Sequence, residues 1–143
     1  MTVPTLLLIL ALALPTLAHF KLEWPPARGF DENTITTFPC GGQNTPSSNR
    51  TLVSPTGFPI HLLYSHDEAA VEVLIGLGND PAPNFNVILV PTFREEGLGD
   101  FCIDNVTVAG VGRLNESSLN GQNATLQVIT NGDSQPAGGL YNV

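Results

Sequence analysis

The chain has 143 residues, with 13 acidic against 5 basic side chains and a formal net charge of −8 at pH 7. That balance argues against nucleic acid or an anionic membrane surface as partner, since both are bound through clustered Lys and Arg. The length suits one domain with a buried core, and the 14 Gly and 12 Pro are scattered rather than gathered into a linker.

Residues 6–14 read Leu-Leu-Leu-Ile-Leu-Ala-Leu-Ala-Leu, an apolar run too short to span a bilayer. Pro15 and then Thr16-Leu17-Ala18 follow, with small residues at the positions a signal peptidase inspects. No Lys or Arg precedes the run, so only the chain's own amino group charges its start. Cleavage after Ala18 is expected. Residues 1–18 are then a secretory signal peptide, and the mature domain spans residues 19–143 and begins His19-Phe20-Lys21-Leu22.

Downstream the pattern is one of strands and turns. Phe58, Ile60, Leu62 and Tyr64 alternate with Pro59, His61, Leu63 and Ser65, which predicts a half-buried strand. Val71, Val73, Ile75 and Leu77 alternate with Ala70, Glu72, Leu74 and Gly76 and predict a second. Phe85 to Pro91 is apolar without a break at its centre, which predicts a strand buried on both faces. Phe101 to Val108 and Ala124 to Ile129 complete the set. Turn clusters lie between them at Gly78-Asn79-Asp80-Pro81, Gly97-Leu98-Gly99-Asp100, Asn120-Gly121 and Asn131-Gly132-Asp133. Asp67 to Glu72 is compatible with a helical turn, and Arg94-Glu95-Glu96 reads as a solvated loop. Short strands with regular turn punctuation predict an all-β protein, a β-sandwich.

Sequons occur at Asn49, Asn105, Asn115 and Asn123, none with Pro in the middle, so a secreted chain is expected to carry glycan on exposed loops. Cys40 and Cys102 are the only cysteines. In an oxidising compartment they are expected to form one disulfide, which by the chain-entropy argument is worth about 4 kcal/mol. Neither has a Cys or His at ligand spacing, so a metal site built on them is a poor reading. Trp24-Pro25-Pro26 reads as an edge cap rather than a polysaccharide-docking platform, because one Trp and two Tyr give little aromatic surface.

Histidine is scarce: His19, His61 and His66. Once freed by cleavage, His19 offers its α-amino nitrogen and ring Nδ1 as a chelating pair. A second imidazole completes a three-nitrogen set of the kind that favours Cu(II), which heads the divalent affinity order. An α-amino group has a pKa near 8, against ~10.4 for lysine, so a metal can displace its proton at neutral pH. His66 stands between two strand patterns, at an edge where loops build sites. His61 lies within a strand, on the face opposite Phe58, Ile60, Leu62 and Tyr64. It reads as an ordinary surface histidine and is the alternative ligand.

The stretches HFKLEWPPARGFDE (His19 to Glu32), FPCGG (Phe38 to Gly42) and SNRT (Ser48 to Thr51) resemble the fungal copper-acquisition factors related to lytic polysaccharide monooxygenases. The resemblance continues through SHDEAAVEVLIGLGNDP (Ser65 to Pro81), NFNVILVPTFREEGLGDFC (Asn84 to Cys102) and NATLQVITNGD (Asn123 to Asp133). It implies an immunoglobulin/fibronectin-III-like β-sandwich with a surface Cu(II) site, and no oxidative cleavage of polysaccharide. It also implies His19 as the N-terminal ligand and His66 as the second. A membrane copper transporter is a conceivable partner, though the sequence does not disclose what receives the ion. In the resembled proteins a third ligand, an aspartate, follows a Tyr-x-Cys, and a lipid-anchor signal tethers the protein to the cell surface. This chain reads Leu140-Tyr141-Asn142-Val143 at that point. The last strand, that aspartate and the anchor signal are therefore expected to be missing, which also puts the pairing of Cys40 with Cys102 in question. Asp67 and Asp100 are conceivable replacement ligands. Two other classes stay open: a copper monooxygenase acting on polysaccharide, and a cell-surface glycoprotein without metal.

Overall fold

Period-two patterning builds this fold. The computed structural model describes residues 19–131 and 139–143, and within them seven strands and one helical turn follow in chain order. They are β1 (Phe20–Trp24), β2 (Phe58–Tyr64), β3 (Glu68–Leu77), β4 (Val87–Glu96), β5 (Gly99–Val106), α1 (Glu116–Leu119), β6 (Ala124–Asn131) and β7 (Gly139–Asn142). Two antiparallel sheets result, one of order β1-β2-β5 and the other of order β4-β3-β6-β7. Phe20, Leu22, Ile60, Leu62 and Tyr64 face inward from the first sheet, and Val71, Val73, Ile75 and Val128 from the second. None of these is more than 5% exposed. Each contributes on the order of 1.5–3 kcal/mol by leaving water. The predicted all-β sandwich is what the chain forms.

Several local expectations change. Asp67 to Glu72 does not form a helical turn, because β3 already begins at Glu68 and pairs along both sides. The apolar run before Pro91 is not buried on both faces. It enters β4, an edge strand, where Ile88 is 47% exposed and Pro91 costs no ladder bond to a second neighbour. Arg94-Glu95-Glu96 is not a loop but the end of β4, which points Glu95 inward. β1 and β7 are additional strands. β7 does not leave a bare edge, since Tyr141 N–H donates to the Ile35 carbonyl at 2.8 Å. The approach of this loop is close: a Cβ on Gly41, at φ 60°, would lie 2.1 Å from the Tyr141 carbonyl oxygen. Buried Asn142 ties the two sheets together, accepting from Leu22 N–H at 2.9 Å and donating to Gly29 C=O at 2.9 Å.

The expected Cys40–Cys102 disulfide is not present, and the topology gives the reason. Val73 and Ile75 of β3 face the main core, so Leu74 between them faces outward. There it builds a second cluster with Cys40, Phe85 and Val143. Cys102 is exposed on β5, opposite His61 in the ladder, on the outer face of the other sheet. The two thiols therefore lie on opposite outer faces of a sandwich whose sheets pack about 10 Å apart, while a disulfide needs Cα atoms within about 7 Å. Both are free. Burial pushes the Cys40 thiol up, countered in part by Arg28.

The strand directions give the sandwich two poles. Tyr64 and Gly99 pair at one, and Phe58 and Val106 at the other. The pole beyond Phe58 and Val106 holds a cleft of about 370 Å³ lined by Pro25, Arg28, Arg50, Phe58, Leu119 and Asn123. All four sequons belong to this pole. Asn105 precedes Val106, Asn123 precedes β6 where Ala124 meets Leu77, and Asn49 adjoins Arg50, which donates to Ala124 C=O. Asn115 caps α1 by accepting from Ser118 N–H at 2.9 Å.

Candidate metal centre

The opposite pole holds two of the three histidines. The β1–β2 register sets Phe20 against Tyr64, and the pairing runs on to His19 and Ser65. Ser65 N–H donates to His19 C=O at 3.0 Å. The Ser65 hydroxyl donates to the same carbonyl at 2.6 Å and accepts from His19 N–H at 3.2 Å. His66 is the next residue after Ser65, which places it at the same end of the sheet as His19. The His19 ring is held on its other side by the loop after β1. Phe30 meets it edge-on at 6.1 Å, and Glu32 Oε1 lies 3.8 Å from Nδ1. The His19 side chain is 15% exposed, against 58% for Glu32.

His61 occupies the outer face of β2, as its place in the alternation predicts. Ser65 lies four positions further along, about 13 Å on an extended strand. Its Nε2 lies 2.7 Å from Asp100 Oδ1, so this histidine and this aspartate engage each other away from His19. Asp67 is exposed, and its carbonyl accepts Gly97 N–H at 2.9 Å in the β4–β5 turn.

Among the described residues, no three His, Cys, Asp or Glu side chains form a group that could hold a metal. The three-nitrogen set expected from the sequence does not need three side chains. It takes one donor from the main chain, the α-amine that cleavage after Ala18 would expose, and two from imidazoles. That donor chemistry suits Cu(II). The expected signal peptide, residues 1–18, lies outside the described residues.

Beneath this pole two polar side chains face the core. Glu95 is 5% exposed and Tyr64 3%, and neither Glu95 Oε2 nor the Tyr64 hydroxyl has a hydrogen-bond partner. Burial, and then the charge of Glu96, pushes the Glu95 carboxyl above its usual range, although it lies close to the rim of the sandwich. Burial, and then Glu95, pushes the Tyr64 phenol up. Because the folded chain holds the Glu95 proton more tightly, it binds more protons than the unfolded chain above the unfolded carboxylate pKa of about 4.3. Stability contributed by this group therefore falls as pH rises out of that range. Glu95→Gln is expected to raise the melting temperature at pH ~7.5 and to leave it nearly unchanged at pH ~4. Thermal melts of both proteins at the two pH values check this.

Neither Glu32 nor Glu95 stands out in the sequence. The loop that carries Glu32 has no periodicity, and the strand that carries Glu95 outruns its apolar segment.

A family profile described as copper acquisition factor BIM1-like matches residues 17–142. An uncharacterized protein of Aspergillus fumigatus is 53% identical over 135 residues, which cover 93% of this chain and 54% of that protein. A lytic polysaccharide monooxygenase-like protein, X325, of Yarrowia lipolytica is 33% identical over 145 residues, covering 92% and 51%. Copper acquisition factor BIM1 of Cryptococcus neoformans var. grubii is 30% identical over 134 residues, covering 87% and 57%. The chain thus spans about half the length of the curated relatives it matches.

Proposed function

The chain belongs to the copper acquisition factor BIM1-like family, and from that premise we propose that its mature form binds Cu(II) through His19 and His66. In this reading the protein is secreted, carries N-glycan, and acts in copper uptake at the cell surface, with a membrane copper transporter as the recipient. Copper is its cargo. The observation that supports the reading is the His19–Ser65 pairing, since His66 follows Ser65 at the pole where cleavage after Ala18 would leave a new N-terminus. The α-amine and the two imidazoles are all nitrogen donors, so one equivalent of Cu(II) is expected to give a paramagnetic resonance spectrum rich in nitrogen coupling. Titration of signal-cleaved protein tests this, and absence of a stoichiometric nitrogen-rich species refutes it.

The name of the Yarrowia relative keeps oxygen chemistry in view as a second reading. The aromatic side chains weigh against it. Tyr64 is buried in the core, and Trp24 packs its ring against Phe58 at 6.4 Å rather than presenting a flat platform. Copper-loaded protein with reductant and peroxide is expected to release no oxidised oligosaccharides from chitin, cellulose or xylan beyond a free-copper control.

A further inference from the structure

We infer that the cleft at the pole opposite His19 and His66 seats the protein's own sugar, the innermost N-acetylglucosamine units of a glycan on Asn123. The inference rests on the reading that the chain carries N-glycan. Two sequon asparagines, Asn49 and Asn123, line this cleft, and its volume of about 370 Å³ falls in the range of about 300–1,000 Å³ usual for small-ligand sites.

The attachment point on Asn123 is held by the fold. Gln122 N–H donates to the Leu119 carbonyl at 3.0 Å, and the Asn123 carbonyl accepts from Gly78 N–H at 2.7 Å. β6 then begins at Ala124, while the Asn123 side chain is exposed. A glycan rooted there starts at the cleft wall. Tethering at so short a range gives an effective concentration on the order of millimolar, enough for contacts too weak to hold a free sugar.

The lining suits a neutral sugar better than an anion. Arg28 and Arg50 both reach the cleft, but their guanidinium hydrogens are spent on the chain itself. Arg28 donates to the Gln43, Asn44 and Asn79 carbonyls at 3.4, 3.4 and 3.3 Å, and to the Thr125 hydroxyl at 2.9 Å. Arg50 donates to the Ala124 carbonyl at 3.2 Å and to Asn79 Oδ1. Beside them lies apolar surface from Pro25, Leu52 and Phe58, with the amides of Asn120 and Gln122. The C–H face of a pyranose packs on the first, and its hydroxyl and acetamide groups bond to the second. Leu52, 98% exposed, is the side chain such a sugar covers.

Trp24 is the only tryptophan and packs on Phe58, so its fluorescence reports on the cleft. The test takes protein secreted from a eukaryotic host and maps its glycans by mass spectrometry. Wild type is then compared with Asn123→Gln, Asn49→Gln and wild type stripped of glycan enzymatically after folding. Loss of the Asn123 glycan by either route is expected to shift Trp24 emission and to lower the melting temperature by about 2–4 °C. Free N,N′-diacetylchitobiose at millimolar concentration should reverse the emission change. Asn49→Gln should match wild type. Stripping the folded protein gives the answer even where Asn123→Gln is not secreted. If Asn123 carries glycan and its removal changes neither emission nor melting, the sugar projects into solvent, and this inference falls while the N-glycan reading stands. If Asn49→Gln produces the changes instead, the occupant is the Asn49 glycan and the assignment to Asn123 is wrong. If Asn123 carries no glycan, the inference and the N-glycan reading at this site fall together.

Discussion

One extra residue in front of His19, a retained Ala18 or a tag, will abolish tight Cu(II) binding. The reason is covalent. A peptide bond turns the α-amine into an amide, whose nitrogen lone pair is delocalised into the carbonyl and donates poorly, and the five-atom link between amine and Nδ1 ceases to chelate. His19 and His66 would remain as two imidazoles on separate segments, with Glu32 beside one of them. Loss of an outer partner of a metal ligand costs 10- to 100-fold, so loss of the chelating donor itself is expected to exceed about 100-fold. The sandwich should be untouched, because His19 lies at the end of the β1–β2 ladder and the core begins at Phe20. Competition titration of the extended and signal-cleaved proteins, with thermal melts as a fold control, checks this. Equal affinity and equal spectra would remove the amine from the site.

His66→Ala is the second large effect. It is expected to weaken Cu(II) binding by more than about 100-fold, while His61→Ala leaves affinity within a few fold. His61 looks outward from β2 toward Asp100, and about 13 Å of extended strand separates it from the His19 partner Ser65. The structural cost of His61→Ala should be small as well. A partly exposed ion pair of this kind contributes about 0–1 kcal/mol. A larger copper loss for His61→Ala would move the site to the outer face of the three-stranded sheet, where Cys102 and Asp100 also lie.

The contrast between the two histidines was largely visible in the sequence, because period two assigns His61 to the face opposite Ile60 and Leu62 without any knowledge of the fold. β2, β3 and β6 were legible for the same reason. β1 has the same alternation in Phe20, Leu22 and Trp24, but five residues are too few to distinguish it from the extended start of a loop. β7 is shorter still, and its role depends on Asn142 meeting Leu22 and Gly29, contacts more than 110 residues apart in the chain. The disulfide expectation failed because Cys40 lies in a loop, where no periodicity reveals which side of which sheet it covers. Glu32 was out of reach on the same ground. Glu95 misled because a charged residue after an apolar run suggests solvent, whereas β4 continues through it and turns it inward.

The gathering of Asn49, Asn105, Asn115 and Asn123 at one pole has a consequence for how the molecule meets others. Oligosaccharides there would sweep out a hydrated volume around the 370 Å³ cleft and leave the histidine pole uncovered. A large partner approaching at random would be turned away from one half of the surface and admitted at the other, so glycosylation would act as a steric filter on orientation. Enzymatic trimming of the sugars would then shrink the hydrodynamic radius and open the cleft, while access to His19 and His66 stayed as it was.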